Sequence, residues 1–327
     1  MIQVNDIGIA TDGPANSGLL RQLETELAYY HEIGYRLVEI NPPSFGFIVH
    51  GELRQPQLAN YLAVLKNFDF RYSVHGLDRL NLAYDPRHEL CRRIMTCQIE
   101  ICRAVGASRL VYHSGLQSLE AVYYGLRESL LTAEELTAGS KQEVTALKAL
   151  APVASDAGVV ICMENTPPHW QEYKFLTHFG CPQSELVKHL PSLTVEPIIR
   201  QLEAIDHPNV AMTLDVAHLY IAAHSLSFDY LEAISKAAPW VKHLHANDNF
   251  GHLDQGIDEN GDRLAFGEAD LHLPPGWGSI PYYEVFARLS AYEGDLILEI
   301  KPGFRDYFAE ALKNTQEILA DIKFEQE

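Results

Sequence analysis

The sequence is short of positive charge. Its 327 residues include 25 Lys and Arg against 44 Asp and Glu, for a formal net charge of −19 at pH 7. Such a balance disfavours nucleic acid and anionic membrane surfaces as partners. No stretch approaches the roughly 20 apolar residues that a membrane-spanning helix needs, and the first residues lack the pattern of a signal peptide. We therefore expect a cytoplasmic protein that does not bind membranes.

Cysteine is sparse too, and its arrangement argues against cysteine chemistry. The chain has no Cys-x-x-Cys pair, and its five cysteines are Cys91, Cys97, Cys102, Cys162 and Cys181. Three lie in one predicted helix and one in an apolar strand, which favours reduced, packed thiols. A glycine-rich phosphate turn is also lacking, because the segment 10–14 after the first predicted strand has the wrong glycine spacing.

What the sequence does contain is an alternation of short apolar strands with amphipathic helices. The predicted strands are Gln3–Ala10, Arg36–Asn41, Arg71–His75, Ala107–His113, Val159–Glu164, Val210–Asp215, Val241–His245 and Asp295–Glu299. The predicted helices are Ser17–Ile33, Gln57–Phe68, Asp85–Val105, two within 118–157 separated near 138–140, one ending near Ile205, Phe228–Ala238, Tyr282–Tyr292 and Tyr307–Ile322.

Eight such βα units predict an α/β protein with a (β/α)8 TIM barrel, formed as a single domain over residues 1–327. A doubly wound open sheet is the alternative, and the missing glycine-rich turn counts against it. The segments after strands five and seven, 165–192 and 246–281, are too long for plain connections. We therefore expect enlarged loops at these two places.

Side chains able to bind metal end six consecutive predicted strands: His75, His113, Glu164, Asp215, His245 and Glu299. In a barrel these ends share one rim, where active sites lie. His218, Asp270 and His272 occupy the adjoining loops. Any one of them alone is better explained as a helix cap or a packed core residue. Six strand ends in succession instead indicate a shared site.

Four carboxylates in this set would repel one another unless cations neutralise them, and no cluster of Lys or Arg lies near the strand ends. Mixed imidazole and carboxylate donors suit Zn²⁺ or Mn²⁺ better than Mg²⁺ or Ca²⁺. We expect two or three divalent metal ions per chain, held by all nine residues.

These residues carry a resemblance to a known family. The motifs resemble those of the xylose isomerase-like TIM barrel superfamily, which joins sugar isomerases and epimerases to the apurinic endonuclease IV enzymes (AP endonuclease family 2). They are Val-His75-Gly, Tyr-His113-Ser, Met-Glu164-Asn, Leu-Asp215-Val-Ala-His218, Leu-His245-Ala-Asn-Asp248, Asp270-Leu-His272 and Leu-Glu299.

The resemblance implies two chemistries. In the sugar branch, residues matching Glu164, Asp215, His245 and Glu299 hold one metal, and the two glutamates act as acid and base on a carbon beside a carbonyl. The residue matching His218 touches the substrate there. In the endonuclease branch, residues matching all nine hold three zinc ions that act on a phosphodiester.

Departures from the endonuclease pattern favour the sugar branch. The endonuclease signature carries a lysine where this chain has Phe250, and a basic residue where this chain has Leu271. Enlarged loops over an acidic rim would also obstruct a duplex. The first hypothesis is therefore an isomerase or epimerase of a sugar or polyol, possibly phosphorylated. The alternatives are a trinuclear zinc phosphodiesterase and a barrel that binds metal without catalysis.

Four further residues are weaker candidates for substrate binding. Glu39 could hydrogen-bond a sugar hydroxyl, and Lys301 could meet a substrate phosphate or carboxylate. Trp170 and Trp277, on the two long loops, could stack against a sugar ring. For Glu39 an exposed acid is the better explanation, whereas a solvated Lys301 and aromatic loop anchors explain the other three equally well.

Overall fold

A computed structural model describes residues 2–123, 125–254 and 260–324. Eight parallel strands form a closed barrel in sequence order, and the last strand pairs with the first. The strands are β1 Gln3–Ala10, β2 Leu37–Ile40, β3 Arg71–His75, β4 Arg109–His113, β5 Val160–Glu164, β6 Val210–Asp215, β7 Val241–Ala246 and β8 Glu293–Leu298. The predicted (β/α)8 TIM barrel is confirmed.

Strand β6 shows why these segments become barrel strands. All of its residues are buried, and its apolar side chains pack on both faces of the sheet. A strand covered on both faces needs a continuous apolar run rather than an alternating one. The polar residue in such a run is therefore placed at the end, where Asp215 reaches the rim.

Eight helices surround the barrel: α1 Leu20–Ile33, α2 Gln55–Leu65, α3 His88–Val105, α4 Ala133–Asp156, α5 Val195–Ile205, α6 Tyr230–Ala237, α7 Tyr282–Arg288 and α8 Phe308–Phe324. None of the described helices is long and apolar enough to cross a membrane.

Two helices lie within 118–157 as predicted, Leu119–Tyr123 and α4. The predicted break near 138–140 is wrong, because α4 runs through it as one helix. Thr132 and Glu135 form a reciprocal capping box that starts α4. Gly139 lies in the helix interior, and a Cβ there would fall 2.2 Å from Cε1 of Tyr84. The glycine therefore serves close packing of the 81–84 segment and does not end a helix.

The long rim loops contain helices of their own. Trp170–His178 and Leu186–His189 follow β5, and Asn260–Phe266 follows β7. A further helix that the sequence reasoning missed, Val216–Leu226, begins directly at the end of β6. A short hairpin pairs Ile48–Val49 with Glu52–Leu53 after β2. These segments raise the walls around the carboxyl ends of the strands.

Candidate metal and substrate site

Strand register brings the predicted ligands together at the rim. In the ladders, His113 is level with Glu164, and Asp215 is level with His245. The donor atoms of Glu164, Asp215, His245 and Glu299 all lie within 4.8 Å of one another. Two further groups of possible ligands adjoin this one: His75 with His113 and Asp78, and His218 with His272 and Glu299. Glu39 completes two more groups, one with His243 and His245 and one with His75 and Glu299.

Glu164 connects two of these groups. Its Oε1 lies 2.9 Å from Nδ1 of His245, and its Oε2 lies 3.2 Å from Nε2 of His113 and 3.6 Å from Nε2 of His75. Burial would raise the pKa of this carboxyl, but positive charge on His245 and His113 outweighs it and lowers the pKa well below its usual range. Glu164 is therefore placed as a bridging carboxylate.

Backbone carbonyls fix the direction of three imidazoles. Nδ1 of His75 donates to the carbonyl of Gly76 at 3.1 Å, and Nδ1 of His218 donates to that of Asn165 at 3.1 Å. Nδ1 of His272 likewise donates to the carbonyl of Glu299 at 2.8 Å. Each of these rings consequently presents Nε2 to the site, the arrangement common among metal-binding histidines.

Asp270 and His272 are held in a strained turn. Nε2 of His272 lies 2.5 Å from Oδ2 of Asp270, and Nε2 of His218 lies 3.4 Å from the same oxygen. His272 and Ala269 adopt left-handed backbone conformations, with φ of 49° and 72°. Lys301 supports the turn, because its ammonium group donates to the carbonyl of Asp270. Such strain persists only where surrounding contacts enforce it.

Glu39 lies beneath the site and contacts protein groups with both carboxylate oxygens. Its Oε2 accepts hydrogen bonds from the hydroxyl of Ser73 at 2.8 Å and from Nε2 of His243 at 2.7 Å. Its Oε1 lies 2.9 Å from Nε2 of His245. Because Glu39 is only 1% exposed, we interpret it as a residue that orients His245.

Three buried carboxylate oxygens show that the site fits divalent cations. Oε2 of Glu164, Oδ2 of Asp215 and Oδ1 of Asp270 have no hydrogen-bond partner among the described residues. Burial raises the pKa of Asp215 to about 6, assisted by Glu299 and Glu164 and opposed by His218. Buried oxygens without a donor are costly, and a cation would remove that cost. The mixture of nitrogen and oxygen donors suits Zn²⁺ or Mn²⁺.

A cavity of about 280 Å³ opens above this cluster, and we call it the metal-side cavity. Glu164, Asp215 and His245 lie just below it. Its walls include six of the predicted residues: His75, His113, His218, Asp270, His272 and Glu299. Glu39 also borders it from below.

The structure does not bring the other three substrate candidates to this cavity. Nε1 of Trp277 donates to Glu310 at 2.8 Å, and the ring packs against Tyr307. Trp170 packs in the apolar cluster of the loop after β5, under the ammonium group of Lys174. Lys301 contacts the Asp270 turn described above.

Two residues at the site were missed by sequence reasoning. Asp78 lies in the ligand group of His75 and His113, and His169 lines the metal-side cavity from the loop after β5. The three-residue spacing from His75 to Asp78 repeats that from Asp215 to His218 and could have indicated the first. His169 lies in an enlarged loop without a strand end beside it, so no sequence signal indicated it.

The family of this chain is shown by its sequence. Residues 27–321 match the xylose isomerase-like TIM barrel family. The chain belongs to this family. No curated protein matches its sequence significantly.

Solved structures of other xylose isomerase-like barrels share the fold. A D-tagatose 3-epimerase-like protein superposes with a TM-score of 0.68 at 18% identity, covering 98% of this chain and 100% of that one. IolI protein with a bound zinc atom gives a TM-score of 0.61 at 16% identity, covering 97% of both chains. The 3-keto-D-glucoside 4-epimerase YcjR from E. coli gives 0.60 at 16%, covering 94% and 99%. Identities this low establish the fold alone.

Proposed function

We propose that this xylose isomerase-like protein is a divalent-metal-dependent isomerase or epimerase of a small sugar or polyol. The observation that carries the proposal is the convergence of Glu164, Asp215, His245 and Glu299 within 4.8 Å, directly below a polar cavity. Three of these residues are fully buried, while Glu299 is partly exposed to the cavity. The group therefore combines a place for a metal with a carboxylate that can reach a substrate.

The reaction moves a proton on a carbon that carries a hydroxyl and adjoins a carbonyl. A divalent ion held by these four residues would polarise the carbonyl oxygen and acidify that carbon. Glu299, at the cavity wall, takes up or returns the proton on one face. Glu164 is the partner for the other face, and its Oε2 faces His75 and His113.

The size and charge of the cavity support a small substrate. Its volume of about 280 Å³ is at the lower end for small-molecule pockets and far too small for a nucleic acid duplex. No Lys or Arg is among the described residues that line it, so nothing in its walls would attract a phosphate backbone. Several proteins of this fold are named as epimerases of keto sugars or keto-glucosides.

A second candidate is hydrolysis of a small phosphoester at a trinuclear zinc centre. It is favoured by the ligands that a single ion would not use, namely His75 and His113 on one side of Glu164 and the Asp270–His272 pair on the other. In this reading all nine residues would hold metal ions, which would activate a water molecule for attack on the phosphoester.

Deuterium exchange from heavy water tests the first candidate. The protein loaded with Zn²⁺ or Mn²⁺ is expected to place solvent deuterium on the carbon beside the carbonyl of D-fructose or D-tagatose, as read by mass spectrometry. Glu299→Gln and Glu164→Gln should each abolish the exchange, whereas Glu293→Gln, at an exposed strand start, should not. Exchange that survives in both site variants would reject the two-glutamate mechanism.

The same metal-loaded protein is assayed for the second candidate function, phosphoester hydrolysis. We expect no useful hydrolysis of bis(4-nitrophenyl) phosphate and no scission of a duplex with an abasic site. Metal-dependent hydrolysis without any deuterium exchange would instead select the phosphoesterase function.

A further inference from the structure

A second cavity adjoins the metal-side cavity, and we call it the outer cavity. It has a volume of about 290 Å³, as large as the first. The two cavities share four lining residues: Asp78, His113, Pro167 and His169. The outer cavity therefore adjoins the metal-side cavity, and these four residues lie between them. The free sugar of the proposed reaction needs only the first.

The outer cavity has an apolar wall. Leu119, Phe175 and Leu190 line it, and Tyr123 does so with 64% of its surface exposed. Leu119 and Leu190 also belong to a small buried cluster formed by the loop helices after β4 and β5. Because this cluster is packed in the protein as it stands, the wall exists before any ligand binds. Aromatic and aliphatic side chains beside a few polar ones are typical of the lining of a small-molecule site.

The polar groups of the outer cavity are amides and acids. Gln117 and Gln171 supply amides, and Asp78 and Glu172 supply carboxyl groups. No Lys or Arg is among the described residues that line this cavity either. The occupant therefore carries no negative charge, since a phosphate or carboxylate would meet acids without a cation to pair with.

His169 lies between the metal-side cavity and the outer cavity and lines both. Its Nδ1 lies 3.4 Å from Oε1 of Glu172, and its backbone N–H donates to Oε2 of the same residue at 2.9 Å. Glu172 thus fixes the ring at the first turn of the helix Trp170–His178. With Nδ1 directed at Glu172, the other ring nitrogen is available for a group that spans the junction.

We propose that the substrate is a glycoside of a keto sugar whose aglycone is about one ring in size and carries no negative charge. The sugar lies in the metal-side cavity, the aglycone lies against Leu119, Phe175 and Tyr123, and His169 contacts the oxygen that joins them. This inference rests on the proposed isomerase or epimerase function and specifies its substrate class.

A pair of substrates that differ only in the aglycone tests the inference. A phenyl keto-glucoside and the matching methyl keto-glucoside are compared by deuterium exchange with the metal-loaded protein. The kcat/KM for the phenyl compound is expected to be at least about tenfold higher, since one buried ring contributes more than 1.4 kcal/mol. Equal kcat/KM values would overturn the inference and leave the proposed function standing. If neither glycoside nor any free keto sugar shows exchange, both the inference and the proposed function are overturned.

A variant that fills the outer cavity tests whether the aglycone binds there. Gln171 is exposed and lines this cavity, so Gln171→Trp should reduce the phenyl-over-methyl preference about tenfold or more. Thr177 lies exposed on the same helix and lines neither cavity, so Thr177→Trp is the matched control and should keep the preference. A full preference in Gln171→Trp would place the aglycone elsewhere and overturn the inference.

Discussion

Nε2 of His245 lies 2.9 Å from Oε1 of Glu39, on the opposite side of the ring from the metal-ligand cluster. Nδ1 of the same ring lies 2.9 Å from Glu164. Burial would raise the pKa of Glu39, but the charges of His245 and His243 lower it well below its usual range. An ionised Glu39 favours a proton on Nε2 of His245 and leaves Nδ1 for a metal ion.

Glu39→Gln should therefore weaken metal binding while leaving the barrel folded. The amide keeps the volume of the side chain but removes the negative charge that fixes the imidazole. Loss of such a partner typically lowers metal affinity about 10–100-fold. Zn²⁺ affinity is measured by competition with a chelator, with the exposed Glu232→Gln as control. Unchanged affinity would show that Glu39 does not orient His245.

The three ligand groups predict two or more divalent ions per chain. Elemental analysis of the purified protein gives the number directly. The double variant His75→Ala with His113→Ala should lose one ion, because Glu164 keeps Asp215, His245 and Glu299 as partners for the other. His178→Ala, in the exposed last turn of a loop helix, should keep the full content. A count of one ion or none in the unaltered protein would exclude a multinuclear centre.

The barrel and its rim were predictable because both depend on local patterns. A buried parallel strand needs an apolar run, and its polar end residue is visible in the sequence. Contacts between side chains on different sides of the barrel leave no such pattern in the sequence. Glu39 and His245 come from β2 and β7, and only their register places one beneath the other. The helix Val216–Leu226 was missed although a cap at Asp215 was considered, and the structure shows that Oδ1 of Asp215 caps this helix.

Gly139 is the clearest case in which packing overrides a local pattern. Alanine in a helix interior is intrinsically better than glycine by about 1 kcal/mol. At this position, however, its Cβ would lie 2.2 and 2.3 Å from two ring carbons of Tyr84, and overpacking of this kind costs about 1–3 kcal/mol.

Gly139→Ala should therefore lower the free energy of unfolding by about 1 kcal/mol, as measured by urea denaturation. Thr145→Ala, at an exposed position of the same helix, serves as the control for changed helix propensity. A more stable Gly139→Ala variant would mean that Tyr84 moves aside without cost.

Glu143 is a buried carboxyl that the proposed chemistry does not use. Its Oε1 accepts hydrogen bonds from the hydroxyl of Tyr112 at 2.7 Å and from the backbone N–H of Gly115 at 2.6 Å. Its Oε2 and the neighbouring Oε1 of Gln201 are buried without a partner among the described residues. Burial raises the pKa of Glu143, although Tyr112, Gly115 and Gln201 oppose the rise. A proton on Glu143 would remove the negative charge from this buried carboxyl.

Glu143→Gln should consequently stabilise the protein at high pH and change little at low pH. Because the pKa is raised in the folded state, folding takes up a proton, and the free energy of unfolding falls as the pH rises through the folded-state pKa. Glutamine does not titrate, keeps the carbonyl oxygen for Tyr112 and Gly115, and can donate to Gln201. We expect the variant to exceed the unaltered protein by about 1–2 kcal/mol at pH 8. The difference should vanish below the ordinary pKa of glutamate, about 4.3. Urea denaturation of both proteins across this pH range measures it, and a difference that is independent of pH would show that the pKa of Glu143 is the same in the folded and unfolded states.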